Sequence, residues 1–190
     1  MKPGAMHREV ILAGSGGQGL VLSAILLAEA AMRGGKSVVQ TQSYGIASRG
    51  GLSLAEVIID DAEIIFQQVR RPDCVLALTE EAIKKFEAWA GKGVPVYYDS
   101  TLATARHGPN FHGHPFTQIA SDLGNVGSVN ILALGALAAH MNLVKRTSLE
   151  QLLRQRFAGA AGELNLKMLA LGFDLGAPAR SDAAAAGAPK

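Results

Sequence analysis

Short, uninterrupted apolar runs alternate along this chain with longer stretches whose apolar residues recur at helical spacing. Val10-Ile11-Leu12-Ala13 stops at Gly14-Ser15-Gly16-Gly17-Gln18-Gly19, the pattern of a buried parallel strand delivered into a tight turn. Leu20 to Arg33 lacks Gly and Pro, is rich in Leu and Ala, and meets a stop at Gly34-Gly35, which predicts a helix. Lys36 to Thr41 predicts a second strand, joined to the first by a helical crossover and therefore parallel to it. Ser53 to Ile59 alternates, with Asp60-Asp61 as punctuation, and predicts a more exposed, antiparallel strand because the loop before it is too short for a helix.

Val75 to Leu78 predicts another buried strand. Thr79 can cap the following helix, with Glu80-Glu81 complementing its first turn and Gly91 and Gly93 closing it. Val94 to Tyr98 predicts a strand, Thr101 to Gly113 a loop, and Phe116 to Ile119 a short last strand or a lead-in to Ala120. Gly127 to Asn142 predicts a helix of small residues that packs closely on a sheet or another subunit. Ser148 opens an amphipathic helix with Leu149, Leu152, Leu153 and Phe157 on one side, and Glu163 to Leu171 adds a further helical stretch. Strands alternating with helices predict a three-layer α/β fold: a mostly parallel sheet, helices on both faces, and one antiparallel strand. The domain spans residues 1–176, and the Ala/Gly/Pro-rich residues 177–190 read as a flexible tail. In such sheets ligands gather at the carboxyl ends of strands, here the loops after Ala13, Thr41, Leu78 and Tyr98.

Composition narrows the chemistry. Eighteen Lys and Arg against sixteen Asp and Glu leave a formal net charge of +2, and no stretch gathers five like charges, so no nucleic-acid partner is expected. The single cysteine, Cys74, excludes an internal disulfide and a thiolate metal site supplied by this chain alone, and points to a reducing compartment. Met1 to Arg8 does not read as a signal peptide, and Asp122, Asn125, Asn130 and His140 interrupt the most apolar window. A cytoplasmic protein with no membrane partner is expected.

Two loops carry candidate chemistry. Gly14-x-Gly16-x-x-Gly19 lies between a strand and a helix, where backbone N–H groups can face an anion. Gln40-Thr41-Gln42 offers no acid for a ribose, which argues against NAD; a ligand-free turn, a variant phosphate loop and a subunit contact stay open. The second loop, Thr41 to Gly51, holds Ser43, Tyr44, Ser48, Arg49 and Gly50, and Arg49 can clamp a carboxylate or phosphate or pair with an acid. His112 and His114 read as solvent-facing residues of a Gly/Pro loop rather than a metal pair, and Cys74 as a small core hydrophobe. His140 reads as a core or interface histidine.

Gly14 to Gly19, Thr41 to Gly45 and Ser48 to Gly51 together resemble the gamma subunit of 2-oxoacid:ferredoxin oxidoreductases. The resemblance continues through Arg71-Pro72-Asp73, Tyr98-Asp99-Ser100, Gly124-Asn125 and Asn130 to Ala136, and covers residues 8–175. Family members commonly carry Pro and an acidic residue where this chain has Ile46 and Ala47. The resemblance implies a component of a complex that decarboxylates a 2-oxoacid oxidatively to an acyl-CoA and passes electrons to ferredoxin or a related acceptor. It also implies that thiamine diphosphate and Mg lie between alpha and beta subunits, that iron-sulfur clusters lie in beta or a ferredoxin-like subunit, and that coenzyme A is co-substrate. No cofactor is then held by this chain alone, and no residue of it is catalytic. Gly14, Ser15, Gly16, Gly17, Gln18, Gly19, Ser43, Tyr44, Ser48, Arg49 and Gly50 would face the active-site entrance or the coenzyme A path. The competing reading is a stand-alone nucleotide-binding module using the glycine loop.

Overall fold

The computed structural model describes residues 6–44 and 51–177. Strand β1 (His7–Ser15) is followed by helix α1 (Leu20–Arg33), β2 (Ser37–Tyr44), β3 (Leu52–Asp60) and β4 (Cys74–Ala77). Helix α2 (Glu80–Phe86), a 3-10 turn (Glu87–Lys92), β5 (Val96–Asp99) and β6 (Phe111–His114) come next. Helices α3 (Phe116–Asp122), α4 (Val129–Met141), α5 (Arg146–Arg156) and α6 (Gly159–Gly176) close the described chain. The Ala/Gly/Pro-rich segment read as a tail lies outside the described residues beyond Ala177.

The strands form one sheet in the order β2-β3-β1-β4-β5-β6. Strands β1, β4, β5 and β6 are mutually parallel, while β3 runs antiparallel to both of its neighbours. The expected three-layer α/β fold with one antiparallel strand is therefore present. Two details differ from the sequence reading. Strands β1 and β2 do run the same way but are not neighbours, because β3 lies between them. And β3 is internal rather than exposed: Ala55, Val57 and Ile59 are fully buried, and polar Glu56 accepts a hydrogen bond from the Thr41 hydroxyl at 3.1 Å. Alternation misled here because only one face of this strand is covered by helices.

Val10 and Leu12 point into the larger core, where α1, α3, α4, α5 and α6 pack; Ile11 and Ala13 point the other way, toward α2 and its 3-10 extension. Helix α4 is apolar all round and accordingly buried at ten of its positions, clamped between the sheet and α6. The α4–α6 approach requires glycine. A Cβ on Gly172 would run into the Leu132 carbonyl, and one on Gly135 would lie 2.7 Å from the Leu169 carbonyl.

Thr79 caps α2 as expected, its hydroxyl accepting from the Ala82 N–H at 3.2 Å. The run from Phe116 is helical, not a strand; β6 lies just before it. Buried Asp99 explains the start of α3, since its Oδ2 accepts from both the N–H (3.1 Å) and the hydroxyl (2.5 Å) of Thr117. His112 and His114 are half-buried rather than solvent-facing: His112 stacks on Tyr97 with ring centroids 4.9 Å apart. His140 is exposed rather than a core residue, its ring 4.9 Å from that of His112. Cys74 is fully buried, and burial raises its thiol pKa, so it sits in the core as a small apolar side chain.

Candidate functional site

The sheet register brings the glycine turn and the two ends of the second predicted loop, Tyr44 and Leu52, to one end of the sheet. Ser15, the last residue of β1, pairs with Leu52, Gly14 pairs with Ser53, and Ser53 pairs on its other side with Tyr44. The glycine turn and the end of β2 therefore leave the sheet at the same level, separated by one strand. Ser43 is exposed on β2. Tyr44 is placed by its backbone in the β2–β3 ladder, and Ser48, Arg49 and Gly50 lie outside the described residues.

Within the turn the glycines divide by cause. Gly14 is buried, and a Cβ there would run into the Gln18 amide oxygen. That oxygen accepts from the Ser15 N–H at 2.7 Å, and the amide nitrogen reaches the Leu78 carbonyl at 3.4 Å, so Gln18 braces the turn from within. Gly19 has φ +73°, and a Cβ there would lie 2.5 Å from the Asn130 amide nitrogen. Gly17 needs glycine for its backbone, with φ +90°, while Gly16 has no such internal reason; both are exposed, and nothing lies within 4 Å of where their side chains would begin. No turn or cap hydrogen bond among the described residues uses the N–H of Gly16, Gly17 or Gly19, and the α1 N-terminus behind them carries no side-chain cap. Such a surface attracts anions through backbone donors and the helix dipole.

The sequence reading assigned no role to Asn130. Only 2% exposed, it donates from Nδ2 to the Gly19 carbonyl at 3.0 Å, while its own carbonyl accepts from the Ser23 hydroxyl at 3.2 Å. It pins the N-terminal turn of α4 to that of α1. Asn125 and Asn165 extend the support, since the Ser128 hydroxyl accepts from Asn125 at 2.5 Å and donates to Asn165 at 2.6 Å. The available signal was an asparagine inside an otherwise apolar, small-residue run.

Neighbouring loops are structural. Glu80 pairs with Arg106 at 2.7 Å, and that guanidinium holds its carboxyl below the usual range. Arg106 also reaches Glu87 at 3.2 Å, tying the loop before β6 across α2.

The position of β3 also bears on the NAD question. A dinucleotide fold holds its ribose with an acid on the strand beside β1, and here that neighbour is an antiparallel strand with β2 beyond it. Among the described residues there is no group of three or more His, Cys, Asp or Glu placed to hold a metal ion, and no helix long and apolar enough to cross a membrane.

Fold and site together define an α/β domain whose open turn offers backbone donors and contains no acid, base or thiol. The family model described as pyruvate ferredoxin/flavodoxin oxidoreductase matches residues 9–175, and the chain belongs to that oxidoreductase family. The 2-oxoglutarate synthase subunit KorC of Archaeoglobus fulgidus is 40% identical over 174 residues, covering 90% of each chain. The ketoisovalerate oxidoreductase subunit VorA of Methanothermobacter thermautotrophicus is 30% identical over 87% of this chain but only 35% of its own length. Among solved structures, the gamma subunit of a keto/oxoacid ferredoxin oxidoreductase from Geobacter sulfurreducens superposes with a TM-score of 0.76 at 36% identity, covering 89% of this chain and 98% of that one. The resemblance carried by the two loops is thus borne out.

Proposed function

We propose that this chain is the gamma-type subunit of a complex that oxidatively decarboxylates a 2-oxoacid to an acyl-CoA, and that its glycine turn lines the coenzyme A side of the active-site entrance. The observation that carries the reading is the pair Gly16 and Gly17, open to solvent at the sheet edge where the β2–β3 connection also emerges. A diphosphate suits that surface: unpartnered N–H groups and a helix N-terminus supply the attraction, and the missing side chains allow close approach. Arg49, in the β2–β3 connection of the sequence, would supply the guanidinium that the turn lacks.

The redox cofactors belong to other chains. One cysteine, fully buried, does not fit an iron-sulfur cluster, and this chain's residues supply no step through one. Alpha and beta subunits would hold thiamine diphosphate and Mg, an iron-sulfur subunit would carry electrons toward ferredoxin or a similar acceptor, and the complex would work in the cytoplasm. This chain would bind and orient the thiol co-substrate and narrow the entrance to water. The KorC relatives make 2-oxoglutarate the first 2-oxoacid to assay.

The test is steady-state kinetics of the assembled complex. Arg49→Ala, which removes one charge-assisted contact, and Gly16→Asp, which sets a carboxylate against the anion, are each expected to raise the KM for coenzyme A about tenfold, with the KM for the 2-oxoacid unchanged. Unchanged coenzyme A kinetics in both variants overturns the assignment of the turn. Nucleotide binding by the purified chain alone, with no co-purifying subunits, would instead support the stand-alone module.

A further inference from the structure

The opposite end of the sheet carries a second surface that the glycine turn does not use. Between β3 and β4 the chain runs from Asp61 to Asp73 without helix or strand, a length that in compact domains is usually functional. Ile65 and Phe66 stand out from it at 82% and 61% exposure, side by side among the few large apolar residues that face solvent. Next to them opens a cleft of about 840 Å³, lined among others by Arg70, Arg71, Trp89 and Lys92.

The cleft carries charges of both signs, but its two carboxylates do not pair with Arg70, Arg71 or Lys92 among the described residues. Its two carboxylates are engaged by this chain: Glu9 accepts from the N–H groups of Arg70 and Arg71, each at 2.7 Å, and Asp73 accepts from the Glu9 N–H at 2.8 Å. The three cations have no ion-pair partner among the described residues. Two rest on aromatic rings instead, the Arg70 guanidinium 3.9 Å from the Phe66 centroid and the Lys92 ammonium 4.3 Å from that of Trp89. Exposed aromatic and aliphatic anchors ringed by arginine match the composition of protein interface centres, and a small anion has no use for Ile65 and Phe66.

We propose that this surface docks an acidic segment of another subunit of the complex, Ile65 and Phe66 entering an apolar recess while carboxylates of the partner meet Arg70, Arg71 and Lys92. The inference rests on the reading of the chain as a subunit, and extends it by naming the face.

The experiment is hydroxyl-radical footprinting and zero-length carbodiimide cross-linking of the complex purified from its native cells, with the isolated full chain as reference. Expected are protection of Ile65 and Phe66 in the complex alone, and a cross-link from Lys92 to a carboxylate of another subunit. A Phe66→Ala, Arg70→Glu variant, both positions being exposed, should fold with unchanged circular dichroism yet associate at least about 30-fold more weakly, as expected for loss of an interface anchor. Equal reactivity of Phe66 free and in complex overturns the proposal. So does protection that appears in the isolated chain as its concentration rises, which assigns the face to a second copy, or protection produced by adding pyrophosphate or ADP to the isolated chain, which assigns it to a small anion. If no oxidoreductase subunit co-purifies at all, the subunit reading fails instead, and the two failures are distinguishable.

Discussion

The glycine turn shows how one motif can hold residues chosen for unlike reasons. Gly14 and Gly19 make room for Gln18 and Asn130, whereas Gly16 and Gly17 face open space. Replacement should separate these roles. Gly19→Ala combines a strained φ with a clash and is expected to cost about 1–3 kcal/mol, read as a fall in the urea midpoint. Gly16→Ala meets no neighbour and should leave that midpoint unchanged. The glycines themselves were legible in the sequence, as was the Thr79 cap. Asn130 was not, because its role depends on a contact 111 residues away in the chain, which no local pattern encodes. The histidines were misread for a similar reason: a Gly/Pro setting suggested solvent, while pairing of β6 on β5 placed His112 against Tyr97.

At the scale of elements, two contacts set measurable expectations. Gly172 lets α6 lie directly on α4, so Gly172→Ala must push the helices apart, at an expected cost of about 1–3 kcal/mol of overpacking. Denaturant titration of the variant checks it. At the sheet edge, burial and the nearby His140 and His114 hold the His112 pKa below its ordinary value. The folded state then binds fewer protons than the unfolded one, whose histidine titrates near pH 6.5, so this group removes stability as pH falls through that range. His7 acts in the opposite sense, since hydrogen bonding to Asp60 raises its pKa. The measurement is therefore a comparison: between pH 7 and 5, His112→Phe should lose less melting temperature than the unaltered chain, and an equal loss would contradict the sign. Most helices were readable from composition and stops, because propensity and burial agreed along them. Strand β6, with Phe111-His112-Gly113-His114, carries no strand pattern and exists only through its neighbour.

For the whole molecule, the sequence pattern was sufficient for the layered architecture but not for strand order. A helix between two strands implies that they run the same way, and β1 and β2 do; nothing local says that a third strand will enter between them. The family resemblance reached further than the pattern because it rested on two loops at once, and the register sets the ends of the second beside the first. Proximity at that end of the sheet is what the coenzyme A kinetics examine, while the basic, aromatic surface lies at the far end, so a subunit built this way can reach a neighbour with one end of its sheet and line an entrance with the other.

Strand β3 between β1 and β2 also ranks the sheet by how easily it opens. Among the described strands β2 pairs with β3 alone, so it can detach by breaking a single ladder, whereas freeing β1 requires breaking two. Native-state hydrogen exchange should therefore find β2 amides the least protected of these three strands. The rim on the β2 side can then breathe on its own, while the glycine turn stays fixed to a strand held on both sides.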